Sequence, residues 1–184
     1  MFVRTERLLL RPGWIEDAPA LAQALDDPAV VRNLARVPSP YTIDDAKAFL
    51  SLPCAPTLPR FLIFARTQRS LRLIGGIGLH ACDDGEIELG YWIGRRHWGL
   101  GFATEAGRAV TDLAHHSLRI PRLVAGHMRD NPASGHVLRK LGFRPTGTIA
   151  PRHSRARGSE VPCVLFARDE SDSVPAPDMR ALAA

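Results

Sequence analysis

The stretch from Arg95 to Ala106, RRHWGLGFATEA, constrains this chain more than any other, because it joins two segments of different periodicity. Before it, Glu86 to Ile93 alternates like a half-buried strand, with Ile87, Leu89, Tyr91 and Ile93 on one face and Glu86, Glu88, Gly90 and Trp92 on the other. After it, Ala103, Ala106, Val110 and Leu113 recur at helical spacing, in a segment running to about Ser117. An extended backbone must therefore turn into a helix within a few residues. Gly99 and Gly101 allow the positive φ angles and close backbone approach that such a turn needs. The first helical turn leaves N–H donors unpaired at the positive end of the helix dipole, so the turn is a cradle for an anion.

The flanking chain reads as a mixed succession of helices and strands. Leu8-Leu9-Leu10 between arginines is a short first strand closed by Pro12-Gly13. Ala18, Leu21, Ala22 and Leu25 form the buried face of a helix over Asp17 to Asp26, and Asp27-Pro28 caps and opens a second. Thr42 with Asp45 resembles a capping box and begins a third helix, reaching about Leu52. The proline-rich Pro53 to Pro59 is a loop. Phe61 to Ala65 and Leu71 to Leu79 are strands joined near Gln68 to Ser70, and Gly75, Gly76 and Gly78 inside the second mark a bulge or another backbone packed close. Asp83-Asp84-Gly85 is a turn. Beyond the central helix come a strand over Leu123 to Met128, a helix opened by Asn131-Pro132 and stopped by Gly142, and two last strands, Phe143 to Ile149 and Val161 to Ala167, separated by a basic loop, Arg152 to Arg157. Residues 1–168 then make one domain, and 169–184, rich in Ser, Asp, Pro and Ala, are a poorly ordered tail.

With 184 residues, 45% of them hydrophobic, the chain can bury the core of one ordinary domain. Its net charge of +5 and pI near 9.7 favour an acidic partner without specifying one. Cys54, Cys82 and Cys163 are odd in number and widely spaced, so they form neither a disulfide framework nor a zinc-type ligand pattern, and no metal is expected. His115 and His116 are adjacent, point about 100° apart on a helix, and read as surface residues at a helix end. No apolar run approaches the roughly 18 residues of a membrane span, and the N-terminus carries no signal-peptide core. A cytoplasmic protein without membrane contact is expected, as a monomer or a homodimer.

The glycine turn excludes two common anions. Thr104 stands where a dinucleotide fingerprint needs its third glycine, and the P-loop pattern G-x-x-x-x-G-K-[ST] is absent. Arg96-His97-Trp98-Gly99-Leu100-Gly101 instead matches the R/Q-x-x-G-x-G/A signature of GNAT acetyltransferases. Glu88-Leu89-Gly90-Tyr91-Trp92-Ile93 precedes it, Ala103-Thr104-Glu105-Ala106 follows, and Asn131-Pro132-Ala133-Ser134 leads to Lys140-Leu141-Gly142-Phe143. With Thr5-Glu6-Arg7-Leu8 to Arg11-Pro12 near the start, the chain resembles the RimJ/RimL-like branch, whose members acetylate N-termini of ribosomal proteins, over roughly residues 4 to 168.

The resemblance implies an α+β GNAT fold: a mixed, mostly antiparallel twisted sheet of about seven strands, flanked by helices and splayed at its central strands. It implies acetyl-CoA as cosubstrate, with pantetheine inserted at the splay against backbone near Trp92 and Ile93. The pyrophosphate would lie on N–H groups of Arg96, His97, Trp98, Gly99, Leu100, Gly101, Phe102 and Ala103, with the charges of Arg95 and Arg96 beside it. The acceptor would be a primary amine, on a small molecule or a protein N-terminus such as that of a ribosomal protein. Glu88 is the candidate base, directly or through water, or else the group that binds the ammonium. Leu138 occupies the place of the family's usual acidic tyrosine, so Ser134, one helical turn away, becomes the candidate partner of the leaving sulfur. Asn131 either bonds the pantetheine amide or caps its helix. Trp92, Trp98 and Tyr91 serve either ligand stacking or the core, and Thr104 and Glu105 suit the first turn of their helix. Two other readings start from the same residues: a CoA-binding sensor without turnover, and a nucleic-acid binder using Arg119, Arg122, Arg129, Arg152, Arg155 and Arg157. The acceptor pocket is expected between the helices of Asp17 to Leu52 and the loop after Ile149.

Overall fold

The computed structural model describes residues 1–53, 55, 57–66 and 70–169, so Cys54, the junction at Gln68 and most of the expected tail lie outside the described residues. An eight-stranded sheet carries the fold, in the order β1-β2-β3-β4-β5-β6-β8-β7. Its strands are β1 (Val3–Arg4), β2 (Leu8–Arg11), β3 (Arg60–Arg66), β4 (Leu71–Ala81), β5 (Ile87–Ile93), β6 (Arg122–Met128), β7 (Arg144–Ser154) and β8 (Ser159–Asp169). Every pairing is antiparallel except β5 with β6. The count exceeds the expected seven by the two-residue β1.

Two cores sit on opposite faces of this sheet, because strand side chains alternate. On one face Leu8, Leu10, Ile63, Leu89 and Ile93 pack with Ala106 and Val110 of α4 (Phe102–Asp112) and Leu138 of α5 (Pro132–Lys140). On the other, Leu62 and Phe64 pack with α1 (Ala18–Leu25), α2 (Pro28–Val31) and α3 (Ile43–Ser51), and Trp92 joins this cluster. Local signals set the helix ends. The Asp27 side chain accepts from the Ala29 N–H, Thr42 and Asp45 form a reciprocal capping box, and Gly142 ends α5 at φ 85°.

Two features depart from the sequence reading and a third bears it out. The basic segment is not a separate loop, because β7 runs through Arg152 to Ser154 paired with β8. His115 is not a surface residue: α4 widens into a π turn over Leu113–Ser117 that rotates His115 into the core at 2% exposure, where its Nδ1–H donates to the Ile120 carbonyl, 2.9 Å away. The glycines of β4 show both proposed causes. The β3–β4 register shifts after Ile63, and a Cβ on Gly78 would stand 3.0 Å from the Pro59 carbonyl oxygen of the neighbouring backbone; Gly76 instead makes room for a side chain, since a Cβ there would stand 2.6 Å from the Trp92 indole nitrogen.

Candidate active site

The parallel strands β5 and β6 share a single register pair, Glu88 with Val124. Beyond it β5 continues to Ile93 and β6 to Met128 without pairing, so the sheet opens from Glu88 towards the glycine turn. The Gly94 N–H bonds back to Ile74 of β4. Backbone direction alternates along a strand, so the peptide groups of Trp92 face β4 and those of Tyr91 and Ile93 face the opening. Of the expected pair, Ile93 therefore presents backbone to the gap and Trp92 does not. The Ile93 carbonyl accepts from the Trp98 indole at 2.6 Å, which fixes the half-exposed Trp98 beside the mouth of the opening.

At that mouth, Arg95–His97 forms one turn of 3-10 helix, and Gly99 and Gly101 take φ of 75° and 81°. Gly101 caps α4 without a side chain, and the first intrahelical bond runs from the Glu105 N–H to its carbonyl. The N–H groups of Phe102, Ala103 and Thr104 thus point out of the helix end. Arg96 and Leu100 are exposed around this turn. Arg95 is not directed at the cradle, since its Nε pairs with Asp27 at 2.8 Å. His97 packs edge-on against Phe102, and burial together with the charges of Arg72 and Arg96 lowers its pKa. Arg7, which sequence reasoning passed over, lies over the Phe102 ring and donates to the Leu100 carbonyl at 3.0 Å. Glu105 holds it there, as the two glutamate oxygens accept from the Thr5 hydroxyl, the Arg7 N–H and the Arg7 Nε.

At the closed end, Glu88 is 5% exposed on the face of α1–α3. One of its oxygens accepts from the Arg152 guanidinium. The other lies 3.0 Å from His80 Nε2 and 3.7 Å from Cys82 Sγ. Burial works to raise the Glu88 carboxyl, but the hydrogen bonds from His80 and Arg152 and the guanidinium charge outweigh it and hold the group at about 2. Glu88 is therefore an ionised acceptor, and His80 donates through Nε2–H, leaving Nδ1 as the ring's acceptor. That side of the ring lies over Gly90, where a Cβ would stand 3.6 Å from the ring carbon between the nitrogens. Sequence reasoning missed His80, although the turn at Asp83 to Gly85 sets it directly across from Glu88.

On the opposite face of β5, the Tyr91 hydroxyl meets Ser134 at the start of α5, 2.8 Å from its Oγ and 3.1 Å from its carbonyl. Burial pushes the Tyr91 phenol up to about 12, so it stays protonated. Sequence reasoning missed this contact; the general need of a tyrosine on a buried face for a polar partner was its one signal, and it does not name the partner. Leu138, in the position of the family's tyrosine, is 1% exposed within the core. Asn131 stands at the N-cap of α5 without a side-chain capping bond, so its amide is not committed to the helix start.

The β7–β8 turn is strapped to the chain after α2. Ser154 donates to the Leu34 carbonyl, the Arg155 N–H to Ala35 and Arg157 Nε to Arg32, while Arg157 also pairs with Asp130. These contacts enclose the Glu88 face between α2 and the hairpin. They also disperse the arginines of the nucleic-acid reading: Arg122 pairs with Asp169 and Glu86, Arg152 with Glu88 and Arg157 with Asp130. Among the described residues, no helix is long and apolar enough to cross a membrane.

Residues 7–144 match the family model of the acetyltransferase (GNAT) domain. Over 169 residues the sequence is 31% identical to the uncharacterized N-acetyltransferase p20 of Bacillus licheniformis, covering 88% of this chain and 92% of that protein. Among solved structures, a GNAT-family acetyltransferase from Bacillus anthracis superposes with a TM-score of 0.78 at 21% identity, over 93% of this chain and 99% of that one. The microcin C7 self-immunity acetyltransferase MccE, solved with acetyl-CoA and AMP, gives 0.75 at 16% identity, over 90% and 93%. At these identities the structural likenesses speak for the fold alone.

Proposed function

Because this chain belongs to the GNAT acetyltransferase family and is therefore an acyltransferase, we propose that it transfers an acetyl group from acetyl-CoA to a primary amine by direct attack in a ternary complex. The observation that carries this reading is the opening after the Glu88–Val124 pair, with an anion cradle at its mouth and a proton-accepting cluster at its closed end. MccE, which shares the fold, binds acetyl-CoA. Here the pyrophosphate would rest on the α4 N-terminus, the pantetheine would bond the peptide groups of Tyr91 and Ile93, and the Asn131 amide would reach the same arm.

The alternation of β5 separates the two proton transfers. His80, held by Glu88, takes the proton from the ammonium on the α1–α3 face, either directly or through water. The free amine then attacks the thioester carbon, its nitrogen sheds a second proton to solvent, and the C–S bond breaks as the tetrahedral intermediate collapses to the amide. On the α4–α5 face, Ser134 hydrogen-bonds the departing sulfur and the Tyr91 phenol supplies its proton through Ser134. Glu88 acts by orienting His80, since both its oxygens are already engaged. The acceptor pocket would be built from the α1–α3 segment together with the β7–β8 hairpin, to hold a small amine or an extended N-terminal peptide, including that of a ribosomal protein as in the RimJ/RimL-like branch.

Calorimetric titration with acetyl-CoA, followed by thiol release against peptides and small amines, tests the proposal. Glu88→Gln should slow release at least about tenfold while leaving CoA affinity nearly unchanged. Absence of CoA binding would sink the reading, and binding without thiol release on any amine would mark a sensor instead.

A further inference from the structure

The β4–β5 hairpin gathers a set of side chains whose chemistry goes beyond proton transfer. The turn from Cys82 to Glu86 is closed by the Cys82 N–H bonding the Glu86 carbonyl, and it sets His80 opposite Glu88 in register. One ligand atom each from His80, Cys82 and Glu88 lies within 4.8 Å of the other two. The two separations at the carboxylate, 3.0 Å from His80 Nε2 and 3.7 Å from Cys82 Sγ, are close to the about 3.3–3.8 Å between neighbouring ligands of a tetrahedral zinc ion with bonds of about 2.0–2.3 Å. The trio is one imidazole nitrogen, one sulfur and one carboxylate oxygen, a mixture that hard cations such as calcium and magnesium do not select and that zinc does.

We propose that His80, Cys82 and Glu88 form a binding site for a divalent transition metal of the zinc class, and that its occupation switches the acetyl transfer off. The inhibitory half rests on the role given to His80 and Glu88 above; the binding half does not. The ligand atoms need little rearrangement. Arg152 grips the Glu88 oxygen that faces away from His80 and so fixes the carboxylate, as an outer hydrogen-bond partner of a metal ligand does. The ion would replace the Nε2 proton of His80, which passes to Nδ1 as the tautomer changes, and the Cys82 thiol proton would leave to solvent. With the thiolate and the carboxylate balancing two of the three positive charges of zinc and Arg152, the cluster carries one net positive charge. His80 is one-third exposed, so water can take the fourth position. The metal then occupies both the acceptor nitrogen's ring and the carboxylate that orients it, and the ammonium proton has nowhere to go.

Cobalt(II) serves as the probe. Chelator-treated protein titrated with cobalt should develop the strong visible bands of a tetrahedral site and a near-ultraviolet sulfur-to-cobalt charge-transfer band, and zinc should abolish both by displacement. Cys82→Ser should lose the charge-transfer band, bind zinc at least about tenfold more weakly and retain the acetyl-transfer rate while escaping zinc inhibition; Cys82→Ala serves as a second check, with circular dichroism confirming the fold of each. Lack of the charge-transfer band in the parent protein, or zinc affinity unchanged in both variants, overturns the site. A band without inhibition, or inhibition equal in parent and variant, overturns the switch. If no amine is acetylated at all, the acetyl-transfer reading fails, and the cobalt spectrum still decides the site.

Discussion

Replacing Glu105 by alanine should cost this protein about 2–3 kcal/mol, although the residue lies on the first turn of a surface helix. Its carboxylate accepts three hydrogen bonds from the β1–β2 connection: the Thr5 hydroxyl at 2.6 Å, the Arg7 N–H at 2.9 Å and Arg7 Nε at 2.7 Å. Glu105 is 15% exposed and Arg7 45%, so the ion pair itself is screened and adds under about 1 kcal/mol, while the two bonds to Thr5 and the Arg7 backbone contribute about 1 kcal/mol each. At roughly 2–4 °C per kcal/mol for a chain of this size, the midpoint of thermal unfolding should fall by about 5–10 °C. Glu105→Gln, which keeps an acceptor, should lose about half as much. The pH dependence gives an independent check. Burial alone would raise the Glu105 carboxyl, but the bonds from Thr5 and Arg7 win and hold it below the ordinary glutamate value of 4.5. A depressed folded-state value means the stabilisation is complete above pH 4.5 and fades as pH falls through that lower value, so parent and alanine variant should converge in strong acid. Urea unfolding followed by circular dichroism from pH 7 to pH 3 measures this. A constant gap across that range, or a loss under about 0.5 kcal/mol at pH 7, would refute the reasoning.

Two more substitutions probe the opening itself. Gly76→Ala places a methyl 2.6 Å from the Trp92 indole nitrogen and should destabilise by about 1–3 kcal/mol in chemical denaturation, since a ring wedged between sheet and helices cannot step aside; an unchanged midpoint would show that Trp92 is free to move. Tyr91→Phe deletes the hydroxyl on Ser134 and should lower single-turnover thiol release about tenfold to hundredfold with CoA affinity preserved, and a normal rate would remove Tyr91 from the proton path.

Much of the fold was legible because its signals are local. Asp27-Pro28, the Thr42–Asp45 pair, Asn131-Pro132 and Gly142 each act through their immediate neighbours, and the helices begin or end where those residues stand. The exceptions depended on distant partners. Val3–Arg4 becomes a strand only because Leu9 and Leu10 lie beside it. Arg152 reads as loop by its composition and becomes strand through its pairing with Val161. His115 enters the core because the helix widens by a residue per turn, a change that neighbouring sequence does not announce.

The site divides along the same line. The glycine turn and the strand before it are contiguous in sequence, so their geometry could be read directly. The partners of Glu88 and Ser134 could not, and Arg152 shows why. In the sheet order, β7 is separated from β5 by β6 and β8, and a flat sheet would keep Arg152 far from Glu88. Pairing between β6 and β8 ends at Met128 with Cys163, however, while β7 and β8 pair onward to Ser154 with Ser159. The distal half of the hairpin overhangs β6, and its tip is strapped to the carbonyls of Arg32, Leu34 and Ala35. The overhang thus folds back across the end of the opening and delivers the guanidinium to Glu88. A hairpin shortened by the four residues that outrun β6 would leave Glu88 buried beside His80 with no counter-charge, a state that costs several kcal/mol. The length of the last two strands is therefore part of the site, fixed by a charge that the alternation of β5 places on the face they cover.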